Sequence, residues 1–92
     1  MIAGDTVRIF DKDGELHTEG VIVAVSRRKQ SPTMNTLTLK VRCPLSPAHA
    51  SGGMVTVEYE KDGQTYELLM KLGGRTKVGE EIEAELHATE TA

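Results

Sequence analysis

Polar and apolar residues alternate with a period of two along most of this chain, which is the pattern of strands that bury one face. The alternation is cleanest from Val55 to Met70, VTVEYEKDGQTYELLM, on either side of Asp62-Gly63. That dipeptide predicts a type I′ hairpin turn, because both central residues of such a turn need positive φ. A two-residue loop fixes the register: Lys61 opposite Gln64, Glu60 opposite Thr65, Tyr59 opposite Tyr66, Val57 opposite Leu68 and Val55 opposite Met70. These apolar pairs share one side of the sheet, and a one-residue slip would scatter them over both. On the other side Thr56 meets Leu69, and Glu58 meets Glu67. Like charges placed directly opposite are unfavourable, so that spot holds either two solvated carboxylates or a cation or basic partner between them.

Four further strands follow from the same pattern. Thr6 to Phe10 turns Val7 and Ile9 inward, and Asp11-Lys12-Asp13-Gly14 closes a turn with Gly14 at its left-handed position. A return strand runs from Glu15 to Ser26, with Leu16 expected opposite Ile9 on the inner face and His17 opposite Arg8 outside. After Gly20 the run Val21-Ile22-Val23-Ala24-Val25 is apolar on both faces, as in a strand that bends and passes between two sheets. Arg27 to Asn35 reads as a polar connection containing Pro32. Thr36 to Cys43 turns Leu37, Leu39, Val41 and Cys43 inward and Lys40 and Arg42 outward. Leu45 to Gly53 is the longest connection, with room for a helical turn at Pro47 to Ala50. Leu72 to Gly79 reads as a loop before a last strand, Glu81 to Ala88, which turns Ile82, Ala84, Leu86 and Ala88 inward; Thr89 to Ala92 is expected to fray.

About six short strands with glycine at the corners predict an all-β chain, a small SH3-like barrel or sandwich forming a single domain over 1–92. Gly4-Asp5-Thr6-Val7 and Gly79-Glu80-Glu81-Ile82 share a pattern of glycine, acid, any residue and β-branched residue, compatible with pairing of the two terminal strands.

Composition narrows the function classes. With 38% hydrophobic residues and three aromatics (Phe10, Tyr59 and Tyr66), the core must be built from Val, Ile and Leu. A net charge of −3 argues against a chain devoted to sequence-independent grip on phosphates. No apolar run approaches the roughly 18 residues of a membrane helix, and a cytoplasmic location is the default expectation. Cys43 is the one cysteine, which leaves no disulfide framework or cysteine-based zinc motif, and its inward phase predicts a buried, inert thiol. His17, His49 and His87 show no metal-ligand spacing, and the glycine pairs 52–53 and 73–74 read as turns. Neither a catalytic constellation nor a cofactor or metal site is expected. Glu80, Glu81, Glu83 and Glu85 read as charge guarding an exposed strand.

Two short resemblances add to this reading. Gly4-Asp5-Thr6-Val7-Arg8-Ile9, followed by Gly20-Val21-Ile22-Val23-Ala24-Val25, resembles the opening of KOW-type and other SH3-like barrels. That likeness implies contact with RNA or with transcription and translation proteins, although the acidic balance of this chain departs from it. Leu69-Met70-Lys71-Leu72, with Val78-Gly79-Glu80-Glu81-Ile82, is similar to the Met-Lys-Met hairpin and following turn of biotinyl carrier domains, which implies modification of Lys71. Here Gly73-Gly74 stands where an acidic residue is usual.

The candidate binding surface is Arg27, Arg28 and Lys29, joined by Lys40 and Arg42 if the polar connection folds back over the outer face of the third strand. Such donors suit phosphate or carboxylate oxygens, and a solvated loop is the alternative. The function expected first is a non-enzymatic protein-interaction or assembly module that binds a protein partner or itself, motivated also by Leu69 on the polar face of the hairpin. The alternatives are a nucleic-acid-binding barrel using the basic loop and, more remotely, a carrier domain modified on Lys71.

Overall fold

In the computed structural model, which describes residues 1–44 and 53–91, six antiparallel strands close into a barrel. They are β1 (Thr6–Phe10), β2 (Leu16–Lys29), β3 (Met34–Cys43), β4 (Met54–Lys61), β5 (Gln64–Val78) and β6 (Glu81–Thr91). Their order around the ring is β1-β2-β3-β6-β5-β4, with β4 returning to β1. The expected connection at Leu45 to Gly53, with its helical turn and His49, falls largely outside the described residues.

The ring has an internal two-fold pattern. Exchanging β1 with β4, β2 with β5 and β3 with β6 leaves every pairing in place. β2 and β5 play the same part: each pairs with the preceding strand along its first half and with the following strand along its second. The hand-over comes at Val21 in β2, the bend the sequence predicts after Gly20, and at Lys71 in β5. Each strand carries a bulge just past it, at Val23 and at Gly73-Gly74. Even the flanking bonds match, for Ile22 donates its backbone N–H to Asp5 and Leu72 donates its own to Gly53. A bulge bends a strand and increases its twist, which lets one strand serve two walls of a small barrel.

Except at Leu16, the inward positions follow the predicted alternation. Val7, Ile9, Leu37, Leu39, Val41, Cys43, Val55, Val57, Met70, Ala84 and Leu86 are buried, together with Ile22 and Leu72. The hairpin at Asp62-Gly63 has the predicted register from Val55↔Met70 to Lys61↔Gln64. Asp62 (φ 53°) and Gly63 (φ 78°) both take the positive φ of a type I′ turn.

Elsewhere the strands run further than hydrophobicity alone suggests. The polar stretch Arg27–Lys29 belongs to β2, paired with Leu37, Thr36 and Asn35. β5 continues through Gly73-Gly74 to Val78, so the expected loop shrinks to the Gly79-Glu80 turn. Thr89, Glu90 and Thr91 pair with Thr36, Asn35 and Met34 instead of fraying. The terminal strands do not pair with each other, since β1 lies between β2 and β4 while β6 lies between β3 and β5.

The first hairpin departs from its predicted register. Phe10, not Ile9, faces Leu16, and Thr18 takes the buried place opposite Ile9. The turn itself sets this offset. Gly14 donates to the Asp11 carbonyl, Asp11 donates to the Glu15 carbonyl, and the Asp11 carboxylate accepts from the N–H groups of Asp13 and Glu15. That geometry makes Asp11 and Glu15 the closing pair, and His17 is then the extra residue that restores the inward phase at Thr18.

Candidate interaction surface

The basic residues singled out in the sequence lie on β2 and β3, and they do not form one cluster. In β2, Arg28 faces outward opposite Thr36, whereas Arg27 and Lys29 have the inward phase beyond the end of the core. Arg27 Nε donates to Glu90 Oε1 at 2.6 Å. On the outer face of β3, Arg42 reaches Glu83 Oε2 at 3.2 Å, and Lys40 stands opposite Glu85 in register. The expectation that a loop would fold back over β3 therefore fails: Arg27 to Lys29 are strand residues whose neighbours are set by the ladder. Of the acids that read as a strand guard, Glu83 holds Arg42 and Glu85 contacts His87, although β6 is an interior strand with neighbours on both sides.

A different surface emerges from the pairing registers. Leu16 of β2 faces Phe10 of β1, Phe10 faces Thr56 of β4, and Thr56 faces Leu69 of β5. Because all four have the outward phase, they form one row across four adjacent strands on the outside of the barrel. At the strand spacing of roughly 4.8 Å this row spans about 14 Å. Leu16 is 55% exposed and Leu69 60% exposed, large values for leucines in paired strands. Met54, also exposed, is the next outward residue of β4 and stands opposite Lys71. Leu69 alone was visible in the sequence as an outlier; Leu16 was expected inside, and its place in the row depends on the offset of the first hairpin.

Alongside runs a charged row, Glu19–Arg8–Glu58–Glu67, over the same strands. The Arg8 guanidinium pairs with the Glu58 carboxylate, so the like-charge pair Glu58–Glu67 receives its cation from β1. Where β1 and β4 diverge beyond this pair, a groove of about 390 Å³ opens, lined by Asp5, Thr6, Arg8, Glu19, Glu58, Tyr59 and Glu60. It is polar and predominantly acidic. Tyr59 and Tyr66 stack on the inner side of the hairpin with ring centroids 5.6 Å apart.

The remaining candidates have structural surroundings. Cys43 is buried, and desolvation, reinforced by the nearby negative charge of Glu81, pushes its thiol up to about 11. His87 is outward as expected, and its ring is held: Nδ1 lies 3.0 Å from Thr38 Oγ1 and Nε2 lies 3.0 Å from Glu85 Oε1. Lys71 sits within β5 between Met54 and His87, not at a hairpin tip as the carrier-domain likeness implies. Among the described residues no three His, Cys, Asp or Glu side chains are grouped to hold a metal ion, and no helix is long and apolar enough to cross a membrane. Compared with protein-family models, curated proteins and solved structures, the chain matches none.

Proposed function

We propose that this small barrel is a non-enzymatic protein-interaction or assembly module that makes contact through the outer face of β2, β1, β4 and β5. The observation that carries the reading is the row Leu16–Phe10–Thr56–Leu69, with Met54 beside it. Isolated surface leucines need no explanation, but an aligned apolar row over four strands places aliphatic and aromatic surface where a partner can cover it. The SH3-like likeness of residues 4–25 belongs to this proposal, as does the use of a surface instead of an enclosed pocket.

A nucleic-acid role is less well supported. Arg27 and Arg42 are engaged by Glu90 and Glu83, and Glu85 stands opposite Lys40, which opposes the approach of phosphate there.

The test is the size of the chain in the cells it comes from. Crosslinked within the cells before extraction, so that weak contacts survive dilution, the tagged chain should elute well above its own 10.0 kDa. The double variant Leu16→Ser with Leu69→Ser should elute at the monomer size with an unchanged Tm, because neither side chain belongs to the core. Elution of the unsubstituted chain as a monomer, or of the variant at the larger size, would contradict the reading.

A further inference from the structure

We infer that the partner on this face is a second copy of the same chain, packed so that the row Leu16–Phe10–Thr56–Leu69 lies against its own counterpart. The inference rests on the reading above and adds the identity of the partner. It comes from the order of side chains along β5. Glu67, Leu69 and Lys71 are successive outward residues: an acid, an exposed leucine and a base, about 7 Å apart.

That order is self-complementary. Consider two barrels meeting face to face about a two-fold axis that runs along the row. Each row residue meets its own copy, so Leu69 packs on Leu69 and Phe10 on Phe10. Strand direction is reversed across the axis, so Glu67 of one copy comes over Lys71 of the other, and the same pair forms again on the far side of the leucines. In the same operation Glu58, whose charge Arg8 already balances, comes over Met54 of the second copy, so Glu67–Lys71 is the pair that sets the register. An isologous interface requires this kind of self-complementary patch.

The alternative two-fold, running along the strands, sets Arg8 against Glu58 of the second copy, a carboxylate that already has a guanidinium in its own chain, and sets Glu67 against Glu19 with nothing to offset the repulsion, so it is disfavoured. Rim ion pairs contribute little affinity but fix the register, while the apolar row supplies the attraction. With so short a row the association should be weak and reversible, at the low end of interface sizes.

The geometry also gives the monomer and the dimer opposite responses to one substitution. Within the chain Glu67 stands opposite Glu58, so Glu67→Lys removes a like-charge pair and should hold or raise the Tm of the monomer. In the dimer the same change sets lysine against Lys71 and should weaken association by about tenfold. Lys71→Glu should weaken it similarly. The double reversal, Glu67→Lys with Lys71→Glu, restores two opposite-charge pairs and should bring the dissociation constant back to within about threefold of the original.

Sedimentation equilibrium of the purified chain and these three variants, at low and at physiological salt, decides the matter. Dimerisation that each single reversal weakens and the double reversal restores is the expected result. A purified chain that stays monomeric at millimolar concentration overturns the inference, and so does a dimer indifferent to all three variants. If the purified chain is monomeric while the chain in cell extract remains in a larger species lost in the Leu16→Ser, Leu69→Ser variant, self-association fails but the interaction reading stands. If both are monomeric, the two fall together.

Discussion

Glu58 on β4 receives the Arg8 guanidinium of β1 across the seam that closes the barrel. Glu67, on the opposite side of Glu58, offers only like charge. One cation therefore serves both the closure of the ring and the neutralisation of a carboxylate pair inside the second hairpin. Arg8→Ala should cost about 1 kcal/mol, near the upper limit for a partly exposed pair. Adding Glu67→Gln should recover part of that loss, because the repulsion it relieves is what Arg8 offsets. A double-mutant cycle in urea measures the coupling, and strictly additive effects would show that Arg8 does not act on this pair.

The two glycines that let β2 and β5 pass close to a neighbour should differ in sensitivity. A Cβ on Gly20 would lie 2.5 Å from Val41 Cγ1, 2.8 Å from Cys43 Sγ and 3.0 Å from the Arg42 carbonyl oxygen, all in packed surroundings. Gly20→Ala should therefore cost about 2–3 kcal/mol by overpacking. A Cβ on Gly73 would meet the His87 ring at 2.7 Å, a side chain that can swing outward at the loss of its Thr38 and Glu85 contacts. Gly73→Ala should cost about 1 kcal/mol, with His87→Ala relieving the clash. Equal losses at the two positions in chemical denaturation would refute this ranking.

Burial of Cys43 carries a pH signature. Its thiol is raised from the ordinary 9.0 to about 11 in the folded chain, chiefly by desolvation and secondarily by Glu81, so the folded state favours the neutral form. The resulting stability is fully present below pH 9, where the unfolded thiol is also protonated. It declines as pH rises toward 11, because there the unfolded chain releases its proton first. The difference in stability between the unsubstituted chain and Cys43→Ala should shift by about 2–3 kcal/mol over that window. Thiol-labelling rates at pH 8 should track global unfolding, and rapid labelling of the folded chain would contradict the burial.

Two leucines on neighbouring strands separate core from surface. Leu86, in the centre of β6, is fully buried, and Leu86→Ala should cost about 2–5 kcal/mol. Leu69→Ala should change stability by no more than about 0.5 kcal/mol. A large loss at Leu69 in thermal melts would assign that side chain to folding and remove the main reason for reading its row as a contact surface.

What was legible in the chain was what local chemistry sets. Asp62-Gly63 requires a particular turn, the turn sets the register, and the register places Val55, Val57 and Met70 together. Alternation likewise identified the inward residues of β3. Pairings made across long stretches of sequence were less accessible, because nothing near Arg8 announces Glu58. Bulges leave no local mark for a related reason: His17 and Val23 look like ordinary strand residues, and their offset is set by the turn and by the need to bend. The polar residues Arg27–Lys29 resemble a loop because they extend a ladder to the end of the core, where backbone pairing continues without apolar side chains on β2 to mark it. The candidate surface follows the same rule. Its members, at positions 10, 16, 56 and 69, become neighbours only through three strand pairings, one of them the closure of the ring.

The most direct test of the contact face is a photo-crosslinking scan in the cells that make the protein. A photoreactive residue would be placed in turn at 16, 54 and 69 and, for comparison, at the outward positions 26, 76 and 89. Discrete protein adducts at 16, 54 and 69, with none at the comparison positions, is the result expected of a face built on the Leu16–Phe10–Thr56–Leu69 row. Adducts confined to 26, 76 or 89, or absent from every position, would contradict it.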